Sequence, residues 1–224
     1  MPVPLRPLET LWDDWVSGQS VAQAFGDPAL PLEVEVGPGE DDFLLECAVA
    51  EPARNWLGIE YSSKRVQRYV RRVLACAGPL PNLRLVWRPA ADVIGPFLSP
   101  GKVAGYHVHF PDPWPKKHHA RYRLMGPEFV ADLALSLASE GRLEVATDSR
   151  AYLEEMLAVL AAEPRLENLL PDPGWRAPPP GERATVFERR WREQGRQIHA
   201  LEFGSRADRA AGSGSSVAVR SDPF

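Results

Sequence analysis

The chain is poor in cysteine, in long apolar runs and in net charge. Its 224 residues hold two cysteines, Cys47 and Cys76. Both fall in helical patterns, and together they make neither a metal-ligand spacing nor a redox pair. They read as buried thiols of a reducing compartment. No apolar run approaches the roughly 18 residues that span a bilayer, and the N-terminus lacks a signal-peptide pattern, so a cytoplasmic protein without a membrane partner is expected. A formal net charge of −4 argues against coating a polyanion with the whole surface. It still permits a local basic patch, because phosphate binding depends on where the cations sit.

The composition is that of an ordinary globular chain, 44% hydrophobic and 25% charged, so a sizeable core can form. Leu32 to Val36 alternates as a first strand and stops at Gly37-Pro38-Gly39. Alternation places Glu33 and Glu35 on one face. A first strand of a doubly wound sheet is normally apolar on both faces, so these carboxylates need partners or a strand end that dips into water. A helix from Asp41 to Ala50 precedes a second strand, Asn55 to Glu60. The next helix presents Val66, Tyr69, Val70, Val73, Leu74 and Ala77 on one face. Lys64, Arg65, Arg68, Arg71 and Arg72 lie on the other, which reads as a solvated face.

Strand three follows at Asn82–Trp87, a short helix at Asp92–Leu98 and strand four from Val103 to Phe110. A helix around Phe129–Leu137 leads to strand five, Gly141–Ala146. Another helix carries Tyr152, Leu153, Met156, Leu157 and Leu160. Leu166–Leu170 is a candidate sixth strand, Thr185–Arg192 is polar, and Gln197–Phe203 is the last strand. This alternation predicts an α/β fold: a doubly wound, mostly parallel, seven-stranded sheet with helices on both faces. The expected organisation is an N-terminal extension over residues 1–31, with Trp12 and Trp15, packed on a domain over 32–203. A disordered tail would follow over 204–224.

Proline is abundant, and its densest cluster marks the most informative stretch: Pro111-Asp112-Pro113-Trp114-Pro115-Lys116-Lys117-His118-His119, with Arg121 and Arg123 beyond. Three prolines in five residues cannot continue a strand or a helix, since each ring fixes φ and removes an N–H. The chain therefore leaves the sheet there as a stiff loop. An acid, a ring and a run of cations are held at the carboxyl end of a strand, where open α/β sheets bind ligands. An acid to orient a base, a ring to stack on it and cations for phosphates suit a nucleic-acid enzyme. Glu60 lies about 23 residues after Gly37, the spacing at which a strand-two carboxylate meets the ribose hydroxyls of a nucleoside. Each motif residue also has a plainer reading: Asp148 as a helix N-cap, Asp112 as an Asx turn, Trp114 as a core anchor, and Lys116 and Lys117 as a solvated loop tip. His107 and His109 alternate on one strand near His118 and His119, yet no metal is expected.

The Gly-rich turn, the acid on strand two and the Asp-Pro-Trp loop after strand four resemble class I S-adenosylmethionine-dependent methyltransferases. Within that class, several motifs resemble the bacterial tRNA (guanine-N(7)-)-methyltransferase family. They are Glu35-Val36-Gly37, Gly58-Ile59-Glu60, Phe110 to Lys117 with the run to Arg123, Ala146-Thr147-Asp148 and Thr185-Val186-Phe187-Glu188. The resemblance runs from about Trp12 to Phe203 and implies S-adenosylmethionine as cofactor and tRNA as partner. It assigns Glu35, Gly37, Gly39, Glu60 and Asp112 to the cofactor. It assigns Lys116, Asp148, Thr185, Val186, Phe187 and Glu188 to the guanine nucleotide, and Lys117, His118, His119, Arg121 and Arg123 to the RNA. Its target would be the variable-loop guanine, position 46, and the enzyme a monomer or homodimer.

Two positions depart from the family pattern. The third glycine of the turn is Asp41, and the acid usual after strand three is Pro89, with Asp92 three residues on. These departures motivate a second reading, a non-catalytic tRNA-binding relative. A nicotinamide-dependent oxidoreductase would share the turn and Glu60 but not the Asp-Pro-Trp-Pro-Lys-Lys loop.

The implied chemistry asks little of a base. Guanine N7 carries a free lone pair and no proton, so its methylation needs no proton abstraction. Positioning, and negative charge near the purinium as it forms, are the expected contributions. Asp112 is expected beside the transferred methyl, and Asp148 on the base.

Overall fold

The computed structural model describes residues 21–78, 80–114, 123–178 and 185–206. Residues 1–20, with Trp12 and Trp15, lie outside them. So do the run Lys116, Lys117, His118, His119 and Arg121, the cation Arg183, and everything after Arg206.

The chain alternates strand and helix. Its elements are β1 (Leu32–Val36), α1 (Phe43–Ala50), β2 (Asn55–Glu60), α2 (Ser63–Cys76), β3 (Leu83–Trp87), α3 (Ala91–Phe97) and β4 (Val103–His109). Then come α4 (Pro127–Ser136), β5 (Leu137–Thr147), α5 (Arg150–Ala162), β6 (Leu166–Asn168), α6 (Val186–Glu193) and β7 (His199–Ser205). The sheet order is β3-β2-β1-β4-β5-β7-β6. β3, β2, β1, β4 and β5 pair in parallel, whereas β7 runs antiparallel to both β5 and β6. The order reverses between β1 and β4, and their carboxyl ends flank the crevice where such sheets take ligands.

One face of the sheet is mostly apolar, with Asn55, Arg84, Thr147, His199 and Ser205 at its strand ends and edges. Val34, Val36, Leu57, Ile59, Tyr106, Val108, Leu143, Val145, Leu201 and Phe203 alternate inward and meet residues of α3, α4 and α5 in one core. On the other face α1 and α2 build a smaller core over β2 and β3 from Leu44, Leu45, Cys47, Trp56, Val66, Tyr69, Val73 and Leu85.

Several expectations shift. Leu74 and Cys76 are exposed, because α2 covers the edge of the sheet and only a narrow stripe of it meets β2 and β3. Cys76 is therefore not the buried thiol expected of it. The polar run after Thr185 is a helix, α6, and β7 runs two residues past its expected end, burying Gly204 and Ser205 against β5 and β6. Both fall in the stretch whose composition predicts a disordered tail. Pairing with a strand on either side supplies the order that their small, polar side chains do not signal. At the front of the chain, Val21 and Phe25 are buried in the larger core.

Candidate active site

The turn after β1 needs its first two glycines, since Gly37 and Gly39 have φ of 72° and 60°. The third turn position has no such need: Phe110 and Trp114 are the non-glycine residues with positive φ among the described residues, and Asp41 is not one of them. The turn is tied down on both sides. Gly37 N–H donates to the Ile59 carbonyl at 2.8 Å, and Gly39 N–H to the Glu60 carboxylate at 3.1 Å. Arg68 pairs with Glu40, and Arg72 pairs with Asp42 and donates to the Glu40 carbonyl. The cationic face of α2, read as merely solvated, therefore anchors the turn.

Glu60 ends β2 and is buried. Its other oxygen accepts from Ser62 N–H at 2.8 Å, and Arg65 lies 3.8 Å away. Backbone donors and a cation thus hold this carboxylate at the strand tip. Glu35, near the end of β1, is 1% exposed. One oxygen is 3.1 Å from His109 Nδ1, and the other is buried with no hydrogen-bond partner among the described residues. Burial raises the Glu35 pKa, the hydrogen bond with His109 opposes the rise, and the charge of Asp41 adds to it. A buried acceptor without a donor, beside a Gly-rich turn, suits a cationic ligand group. S-adenosylmethionine carries an amino group and a sulfonium, so Glu35, Gly37, Gly39 and Glu60 fit that cofactor.

Glu33 and Glu35 are not solvent-dipped strand ends. His107 Nε2 lies 3.2 Å from Glu33 and its Nδ1 lies 3.4 Å from Glu144, while Arg54 also pairs with Glu33. Burial pulls the His107 pKa down, but the contacts with Glu144 and Glu33 outweigh it and hold the value at about 9. Gly105 makes room for this ladder, since a Cβ there would meet Glu33 Oε2 at 1.9 Å. Phe43 of α1 packs against both imidazoles, with ring centroids 5.1 Å from His107 and 4.6 Å from His109. Among the described residues no group of three His, Cys, Asp or Glu is arranged to hold a metal ion. A cleft of about 760 Å³ runs along this side of the sheet, lined by Glu33, Phe43, His107, His109, Glu144 and Glu188.

At the end of β4 the chain turns sharply. Phe110 and Trp114 have φ of 50° and 39°, which costs energy for bulky residues and is typical of functional loops. Asp112 is exposed, and its charge adds to the upward shift that burial imposes on the Tyr152 phenol. Arg123 folds back onto the loop. Its Nε donates to the Pro113 carbonyl at 2.7 Å and Nη2 to the Trp114 carbonyl at 3.0 Å, and it pairs with Glu155. The guanidinium, expected on RNA, is committed to holding the loop.

Asp148 follows β5 but does not cap α5. Ser149 does, its side chain accepting from Tyr152 N–H. Asp148 instead pairs with Arg196 at 2.6 Å, and the Arg196 guanidinium lies 3.9 Å from the Trp191 ring centroid. Thr185 caps α6, accepting from Glu188 N–H at 3.0 Å. Phe187 lies 6.3 Å from Phe110, ring to ring, and buried Glu188 pairs with Arg192 at 2.7 Å. Asp41 accepts from Val186 N–H at 2.5 Å. The Gly-rich turn, the end of β4 and the start of α6 therefore converge. Pro89 is exposed after β3, its carbonyl accepting from Asp92 N–H at 3.1 Å, and Asp92 is exposed at the start of α3.

The sequence pointed to Glu35, Glu60, Asp112 and Asp148; it marked Asp41 only as a departure from glycine and Arg196 only as one cation of an Arg-rich segment, not as partners of Val186 and Asp148, and it did not mark Ser149. The period-two pair Glu33/Glu35 and the period-two pair His107/His109 were a usable signal: each pair lies on one face of its strand, and on the neighbouring parallel strands β1 and β4 they meet diagonally, Glu33 with His107 and Glu35 with His109.

Among proteins of known fold, the structure is similar to the 16S rRNA methyltransferase KamB, with a TM-score of 0.58 at 21% identity, covering 82% of this chain and 89% of that one. It is also similar to the aminoglycoside resistance methyltransferase NpmB1, at 0.57 and 18% over 89% and 93% of the two chains. These likenesses bear on the fold. In sequence, a family model described as "Putative methyltransferase" matches residues 29–201. A tRNA (guanine-N(7)-)-methyltransferase of Leifsonia xyli is 40% identical over 85% of this chain and 83% of its own. One of Alkalilimnicola ehrlichii is 38% identical over 90% and 86%. With the Gly-rich turn, the end of β4 and the start of α6 brought together and such identity across most of both chains, this chain belongs to the tRNA (guanine-N(7)-)-methyltransferase family.

Proposed function

We propose that this protein transfers the methyl group of S-adenosylmethionine to N7 of guanine in tRNA, at the variable-loop guanine, position 46, in the cytoplasm. The observation that carries the reading is the convergence of Glu35, the Gly37–Gly39 turn, the Asp112 loop and the Thr185–Glu188 helix start at one end of the sheet.

S-adenosylmethionine, when bound, supplies a methyl group already activated on a sulfonium. Glu35 would meet its cationic end and Glu60 its ribose. The residues of the chain do the positioning. Asp112, exposed on a loop pinned by Arg123, would present its carboxylate to the base. Its charge favours the purinium as N7 gives up its lone pair. Asp148, not needed as a cap, can accept from the guanine ring N–H and amino group while Arg196 fixes its orientation. No residue has to remove a proton for the attack.

Lys116, Lys117, His118, His119 and Arg121 would carry the phosphate contacts that turn the base toward the site. Unmodified tRNA and a variant with adenine at position 46 test the reading together. Labelled methyl should enter the first and not the second. Equal incorporation into both would reject the proposed target.

A further inference from the structure

Asp41 stands where the family's turn has its third glycine, and it does what a glycine cannot. It is 4% exposed. One carboxylate oxygen accepts from Phe43 N–H at 3.1 Å, and the other from Val186 N–H at 2.5 Å. Phe43 opens α1 and Val186 opens α6, so a single carboxylate serves the N-termini of two helices 145 positions apart in the chain. Both ends need it. The residue flanking α1, Asp42, makes no side-chain cap bond, and the cap of α6, Thr185, is occupied with Glu188 N–H. Two helix N-termini also favour a negative charge between them. The neighbouring acids Glu40 and Asp42 turn the other way, to Arg68 and Arg72 of α2. The turn backbone imposes no positive φ at Asp41, so the side chain is accommodated without strain.

We propose that Asp41 is a positioning residue that clasps the cofactor turn to the base-binding helix, so that binding at either one orders the other. The inference rests on the assignment of Gly37–Gly39 to cofactor and Thr185–Glu188 to guanine. Such coupling is reciprocal: the cofactor tightens tRNA by the same factor as tRNA tightens the cofactor. A merely structural cap would lower stability without coupling the two affinities.

The test uses the full chain and S-adenosylhomocysteine, the unreactive product, with unmodified tRNA. Each ligand is titrated alone and with the other saturating. The wild type should show a coupling factor of about fivefold or more. Asp41→Gly, the family's own residue, should leave each ligand alone within about threefold of wild type while the factor falls to about one. Asp41→Asn should be intermediate, because its carbonyl oxygen can serve only one of the two N–H groups.

Val186→Pro is the second variant. Proline is well tolerated at the first helical position, and Thr185, at ψ 158°, already has the extended backbone that precedes a proline. It removes the N–H that Asp41 accepts from and also changes a side chain of the guanine-binding segment, so its affinity for tRNA alone is measured first; its coupling should be abolished although the turn carboxylate is kept. Wild-type coupling in folded Asp41→Gly or Val186→Pro would overturn the clasp, as would a factor of one in a wild type that binds both ligands. A wild type that binds neither ligand would overturn the site assignment as well.

Discussion

The two faces of this sheet are built on different principles. On the side of α3, α4 and α5, β1, β4 and β5 present Val34, Val36, Tyr106, Val108, Leu143 and Val145 to one core, and the helices seal it. On the side of α1, the same strands present Glu33, Glu35, His107, His109 and Glu144 in an ion-paired ladder. A strand alternates its side chains, so β1 and β4 serve both ends at once: Val34 and Val36 for the core, Glu33 and Glu35 for charge. The apolar face supplies the stability that lets the other bury carboxylates at some cost. That cost is visible in the raised pKa of Glu35 and in its unpartnered oxygen. Such a group contributes little to folding.

The largest effect on this contrast should come from the apolar side. Leu143→Ala removes a fully buried side chain, and should lower unfolding free energy by about 2–5 kcal/mol, read by urea titration. At the strand tips the sign of the contrast reverses. Asp112→Ala and Asp148→Ala should each cost about 100-fold in methyl transfer to tRNA, while the thermal midpoint stays close to wild type. A matching collapse in stability would show that these acids belong to the framework.

His107→Ala strikes the ladder. It should cost about 1.5–3 kcal/mol, toward the lower end because Glu144 is 49% exposed and screened by solvent. The pH dependence sharpens this. The folded-state pKa of His107 lies above that of a free imidazole, so its contribution is complete below about pH 6.5 and fades as pH rises through about 9. Wild type should therefore lose stability across that window relative to His107→Ala, and parallel curves would remove His107 from the account. Glu35→Gln should have the smallest effect and a divided one. It removes a buried charge, so stability should hold or rise. Affinity for S-adenosylmethionine, measured by calorimetry, should fall about tenfold.

Much of this was legible in the sequence where one local pattern decides the outcome. Strands β1 to β5 announce themselves by period-two or continuous apolar runs bounded by Gly and Pro, and β2 falls at Asn55–Glu60 as expected. Helix α6 was not legible because Glu188 alone is buried in it, so no apolar stripe marks it. Its place is set by Thr185 and by Asp41 from the far end of the chain. Gly204 and Ser205 look like tail until pairing with β5 and β6 is known. Arg123 belongs to a cationic run, yet two carbonyls and Glu155 claim it. Asp41 looked like a damaged glycine position, and the contact that gives it a job spans 145 residues, beyond any local reading.

The most direct test of the account is methyl transfer from labelled S-adenosylmethionine to unmodified tRNA, followed by digestion and identification of the methylated nucleoside by mass. The account predicts 7-methylguanosine, formed by a turn that carries Asp41 in place of a glycine. Protein that binds tRNA but transfers no methyl, or that places it on another atom, would contradict it.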